Sequence, residues 1–143
     1  MAAAVAAKEI SARELLDLHL ERIDEVNPKI NALVSIDPER ARASAAKADE
    51  QTAAGGPLGP LHGVPYAVKD THEVENWRTT FGSPAMEHNI APHDELVVKR
   101  VRDAGAVILA KTNVPEFASG SHTFNPIFGT TLNPYDTNRS AGG

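Results

Sequence analysis

The chain opens on small apolar positions, Met1 to Ala7, which Lys8 and Glu9 interrupt. Ser11-Ala12-Arg13-Glu14 then has the spacing of a capping box, in which a serine and a glutamate three residues on satisfy free N–H groups at a helix start. Leu16, Leu20, Ile23 and Val26 follow at helical intervals, so the pattern predicts an amphipathic helix running to Asn27-Pro28. Asp37-Pro38-Glu39 repeats the start signal, a cap followed by a proline whose φ is already helical. It predicts a second helix with a smooth, narrow face, running through an alanine-rich stretch to Gln51 and closed at Gly55-Gly56.

Between Gly55 and Pro65 the pattern changes: four glycines and three prolines stand close together, which neither a helix nor a central strand tolerates. The chain therefore divides into an N-terminal helical arm over 1–54 and a core that begins at 55. Tyr66-Ala67-Val68-Lys69 is a short apolar run suited to a buried strand, and Ala106 to Ala110 is a stronger one. Between them Asp94 is expected to cap a helix that runs through Ala104 and ends at Gly105. Strand, helix, strand at this spacing predicts a parallel pair joined by a crossover, and hence an α/β class. Ligands of such sheets gather at the carboxyl ends of the strands, where Lys69-Asp70 and Lys111-Thr112-Asn113 both fall. From Ser119 to Gly143 the chain is rich in glycine and Asn-Pro pairs and has little periodicity, which reads as a long irregular stretch kept for function.

At 143 residues with 41% apolar content, the chain has enough material for one core. Fourteen basic against nineteen acidic residues give a net charge of −5 with no basic cluster, so no direct nucleic-acid partner is expected. The absence of cysteine excludes a disulfide framework, a thiol nucleophile and cysteine-ligated metals. No basic n-region precedes the first apolar stretch, and no run approaches the ~18 apolar residues of a membrane span, so a cytoplasmic protein without membrane contact is expected.

Lys69 is the unusual residue. Its stem starts in an apolar strand, so its amine must either reach a polar partner, with Asp70 the nearest, or be desolvated towards the range of a general base. The residues alone leave both readings open. His62, His72, His88, His93 and His122 fall in expected loops without metal-binding spacing, and are read as solvated; no metal or cofactor is expected. Asp70 with Glu73, or Asp94 with Glu95, makes a weak case for a carboxylate dyad, since Asp94-Glu95 suits a helix start. Gly55 to Pro60 lacks the Gly-Lys-Ser/Thr ending of a phosphate loop.

The block Leu61-His62-Gly63-Val64-Pro65-Tyr66-Ala67-Val68-Lys69-Asp70 resembles the surroundings of the catalytic lysine in the amidase signature family. Thr79-Thr80-Phe81-Gly82-Ser83, then Gly105 to Ala118, then Asn125 to Pro134 resemble further blocks of that family in its order. Asp136 to Gly143 resembles the approach to its glycine- and serine-rich signature. The resemblance implies a mixed β-sheet flanked by helices after the helical arm, the amidase signature fold in incomplete form. It also implies cleavage of a small-molecule amide by a Ser–Ser–Lys triad with Lys69 as the base.

The two catalytic serines and the oxyanion donors would follow Gly143, so this chain alone is expected not to turn over. The resemblance further suggests Phe117, Ala118 and Ser119 as walls of the acyl site, and Asn125, Gly129, Asn133 and Arg139 as scaffold. Asn76 stands where the family often has glycine in the turn before the Thr-Thr pair; asparagine tolerates a positive φ there, while Trp77 beside it is expected at the mouth of the site. Three roles remain open. One is an amide hydrolase, whose parent the resemblance allows to be a homodimer. A second is the amidase subunit of a tRNA-dependent amidotransferase, and the third is a shortened, non-catalytic binding domain.

Overall fold

The computed structural model describes residues 1–142. A short helix α1 (Ala2–Ala6) precedes α2 (Ala12–Ile30), which starts on the expected capping box: Ser11 Oγ accepts from the Glu14 N–H, and the Glu14 carboxylate accepts from the Ser11 N–H. The helix runs past Pro28 and ends where Asn31 turns left-handed at φ 53°. A strand not expected from the pattern, β1 (Leu33–Ile36), comes next. Helix α3 (Pro38–Ala54) follows, capped by Asp37 on the Arg40 N–H. Its buried stripe is Ala41, Ala45, Ala48 and Thr52, the smooth face that lets α2 and the sheet approach closely.

After the glycine- and proline-rich connector come β2 (Pro65–Lys69), α4 (Leu96–Asp103) and β3 (Val107–Thr112). The central sheet has the order β1-β3-β2, with β2 parallel to β3 and β1 antiparallel to it, so it is mixed. Asp94 is not the cap of α4. That position belongs to Glu95, and the Asp94 carboxylate instead accepts from the Glu75 N–H and from Arg102, tying the preceding loop to the helix. Gly105 ends the α4 turn at φ 94°, where an added Cβ would stand 2.8 Å from the His62 Cα. This close approach is why a glycine is needed there.

The core has two faces. Leu15, Leu16 and Leu20 of α2 and the alanines of α3 pack on Val107, Leu109 and Ala110 of β3, so the helical arm and the sheet share one hydrophobic cluster. Val68, Val74, Trp77, Val98 and Ile108 form the other. A register shift places Tyr66 beside Ile108 but Ala67 beside Ala110, leaving Leu109 as an extra residue in β3. A bulge of this kind resets which face the later residues occupy. The final stretch is less irregular than its sequence suggests: β4 (Phe124–Asn125) pairs with β5 (Gly129–Thr130), and β6 (Leu132–Asn133) pairs with β7 (Asp136–Ser140).

Two expectations about single residues change. His62 is 2% exposed, not solvated: its Nε2 lies 2.8 Å from Thr52 Oγ1 and 3.1 Å from the Ala48 carbonyl, joining the connector to α3. Trp77 does not stand at a site mouth. It is buried, donates from Nε1 to Ser35 Oγ at 2.8 Å, and carries the Arg40 guanidinium 5.3 Å from its ring centroid. The adjacent Asn76 adopts φ 56°, the turn geometry expected of it.

Candidate active site

Parallel pairing sets Val68 beside Lys111 and Lys69 beside Thr112, so alternation along the strands sends the two strand-end lysines to opposite faces. Their surroundings differ accordingly. Lys111 is 0% exposed; its Nζ donates to the His72 carbonyl and to Thr79 Oγ1, both at 2.8 Å, and lies 3.2 Å from Asp70 Oδ1. The other carboxylate oxygen, Asp70 Oδ2, accepts from the Thr80 N–H at 3.1 Å and the Thr80 hydroxyl at 2.6 Å. Burial pushes the Lys111 amine below its ordinary range, with the Asp70 charge pulling the other way. Three acceptors around one ammonium and two donors on the far carboxylate oxygen make this a rigid clamp at the end of the sheet.

Asp70 is thus taken by Lys111, which removes the reading in which Lys69 emerges to pair with its neighbour. Lys69 is half-buried at the end of β2 and lines a cavity of about 220 Å³ with Tyr66, His72, Val97, Val101 and Thr112. Among the described residues its amine has neither a hydrogen-bond nor an ion-pair partner. The backbone on either side is held: the Asp70 N–H donates to the Thr112 carbonyl at 3.1 Å and the His72 N–H to the Lys69 carbonyl at 3.0 Å. The sequence placed Lys111 at a candidate strand-end site and Thr79 and Thr80 in a family block, but gave no sign that they meet around Asp70. The available signal was that Lys111, like Lys69, is a lysine closing an apolar run.

The segment after β3 is strained. Phe117 and Ala118 have φ 50° and 57°, left-handed values that cost about 1–2 kcal/mol for a residue bearing a Cβ. The Phe117 N–H donates to the Phe81 carbonyl at 2.7 Å, and the Phe81 N–H to the Asp70 carbonyl at 3.1 Å, so this segment is two hydrogen bonds from the lysine-bearing strand end. Ser119 lies apart from Lys69, in a second cavity of about 370 Å³ with Glu116, Ser121, His122 and Asn125.

The expected scaffold residues divide. Buried Asn125 donates to Asn113 Oδ1 at 2.7 Å and the Val114 carbonyl at 2.8 Å, while its own oxygen accepts from the Ile127 and Phe128 N–H groups. Asn113 reaches on to the Gly129 carbonyl, and Asn133 holds the β6–β7 turn through the Tyr135 N–H. Arg139 is exposed and, among the described residues, pairs only with Asp136, within its own hairpin.

A buried polar clamp, a strand-end lysine without a partner among the described residues and a strained loop joined through Phe81 to the Asp70 backbone are arranged here in the order that the sequence blocks announced. A family model described as Amidase matches residues 14–143. The chain belongs to the amidase family. Among curated relatives, a glutamyl-tRNA(Gln) amidotransferase subunit of Acidothermus cellulolyticus is 48% identical over all of this chain and 28% of its own length. Acylamidase of Rhodococcus erythropolis is 45% identical over all of this chain and 30% of its own. A solved structure described as a vestigial protein complex that reveals the origins of an s-triazine catabolic enzyme superposes with TM-score 0.94 at 40% identity, covering 99% of this chain and 31% of that one. The chain therefore spans less than a third of the length of these amidase relatives. Among the described residues no helix is long and apolar enough to cross a membrane, and no group of three or more possible ligands could hold a metal ion.

Proposed function

We propose that this chain supplies the base of an amide hydrolase that works through a serine acyl-enzyme, with Lys69 accepting the proton that activates the serine. The observation that carries the reading is the division of labour at the strand ends: Lys111 holds Asp70, which leaves the Lys69 amine without a partner among the described residues at the carboxyl end of β2. A lysine held in an ion pair keeps its proton and cannot accept another, whereas Lys69 has no ion-pair partner among the described residues. The bridging serine, the nucleophile and the oxyanion donors are assigned to polypeptide beyond Gly143, and Phe117, Ala118 and Ser119 to the acyl side of the substrate. Nucleophilic catalysis needs the base within reach of the hydroxyl it activates, and a fixed strand end provides that.

The test is made on the polypeptide continued through its serines to the length of its relatives. A fluorophosphonate probe should phosphonylate its nucleophilic serine with loss of fluoride, and Lys69→Ala should slow that labelling by about 100-fold or more, the usual contribution of a positioned base. Labelling of the folded variant at the wild-type rate would refute the role of Lys69.

A second reading is favoured by the 48% identity to a glutamyl-tRNA(Gln) amidotransferase subunit. The same lysine would then serve release of ammonia from glutamine for a partner protein. Glutaminase activity that rises on adding a co-purifying partner supports this reading, whereas turnover of simple aryl amides by the isolated polypeptide supports the first.

A further inference from the structure

Two left-handed turns face each other beside the strand end that carries Lys69. One is Phe81-Gly82, at φ 53° and 67°; the other is Phe117-Ala118. Gly82 can hold its turn because it has no side chain, since an added Cβ would stand 3.0 Å from the Val114 carbonyl oxygen. Phe81, Phe117 and Ala118 have no such excuse, and each accepts a conformation that disfavours residues with a Cβ. What the strain achieves is visible in the rings. Phe81 and Phe117 stack with centroids 6.2 Å apart at an interplanar angle of 26°, while Phe117 remains 57% exposed. Backbone bonds fix the stack at both ends, from Phe117 N–H to the Phe81 carbonyl and from Phe81 N–H to the Asp70 carbonyl. Asp70 is in turn locked by Lys111.

We infer that Phe81 is a specificity-determining residue, which with Phe117 forms an aromatic wall selecting amides with an aryl acyl group. The inference rests on the proposed role of Lys69, because that role places the scissile carbonyl at this end of the sheet. In this chain the stacked pair leaves Phe117 more than half exposed, a surface on which a further flat ring can pack, and offset stacking is the geometry aromatic pairs favour over a simple apolar contact. Phe117 was already expected on the acyl side. Phe81 is new: no periodicity or spacing signalled it, and its place is set by the hydrogen bond to Asp70.

The experiment compares kcat/KM for benzamide and propanamide in the continued polypeptide. Phe81→Gly deletes the ring at a position whose φ glycine adopts freely, so the turn is kept. Phe81→Tyr keeps the ring. The benzamide-to-propanamide ratio should fall about three- to tenfold in Phe81→Gly, the range of one aromatic pair, and stay near wild type in Phe81→Tyr. An unchanged ratio in Phe81→Gly overturns the wall while leaving Lys69 in place. A wild-type polypeptide that folds yet is not labelled by the fluorophosphonate overturns the proposed hydrolase and the wall with it.

Discussion

Among single residues the clearest contrast is between the two strand-end lysines. Lys111 and Asp70 are both almost wholly buried, so each depends on the other to offset its desolvation. Lys111→Met should cost about 3–5 kcal/mol in urea unfolding, because it strands a buried carboxylate. The double variant Lys111→Met/Asp70→Leu should recover much of that loss. A double-mutant cycle without coupling would show that the pair is not a clamp. Lys69→Met, by contrast, removes a half-buried amine that bonds to no other group among the described residues, and should change stability by less than about 1 kcal/mol in the same assay. The unequal outcomes for two lysines of similar sequence setting would separate the structural one from the one proposed for chemistry.

Among the elements, the helices are held at their ends by side chains. Ser11→Ala removes the acceptor for the Glu14 N–H at the start of α2 and should cost about 1 kcal/mol, read from the midpoint of chemical denaturation. At α4 the hydrogen bonds from Arg102 hold the Asp94 carboxyl below its ordinary range, against a smaller opposing effect of burial. A depressed carboxyl means that the unfolded chain takes up its proton first as pH falls. The stabilisation is therefore complete above the unfolded value of about 3.9 and is lost as pH drops through the lower folded value. Asp94→Asn should be less stable at neutral pH, with its stability falling less steeply below pH 4. An identical acid limb in circular dichroism of the two proteins would contradict this. The β2–β3 pairing shows the same dependence on detail, since the extra residue at Leu109 decides that Lys111 shares a face with Val68 and Ile108.

At the scale of the molecule, β2 is an outer strand of the sheet, with exposed Tyr66 and Val97 lining the same cavity beside it. An unpaired edge beside apolar side chains invites pairing with another chain. The 143-residue polypeptide should therefore self-associate as its concentration rises, and Tyr66→Lys should weaken the association. A single monomeric species across the range in analytical ultracentrifugation would count against it. Much of this architecture is legible in the residues themselves. The capping box at Ser11, the Asp37-Pro38 start, the alanine stripe, the apolar runs at Tyr66 and Ala106 and the blocks of family resemblance all lie in neighbouring positions, and near-neighbour sterics and hydrogen bonding are enough to interpret them. What the sequence by itself determined is therefore helices α2, α3 and α4, the parallel strand pair, the family and the address of Lys69. Tertiary structure alone decided which partner each buried polar group at the strand end found. Lys111 meets acceptors 39 and 32 positions away, at His72 and Thr79; Asp70 turns from its sequence neighbour to Lys111; His62 and Trp77 are drawn inside. β1 joins the sheet for the same reason, because a four-residue strand gains its stability from pairing with β3 rather than from its own residues. Local rules shape each segment, but the partner of a buried charge depends on strand register, on a bulge and on loops closing over it, and those exist only once the chain has packed.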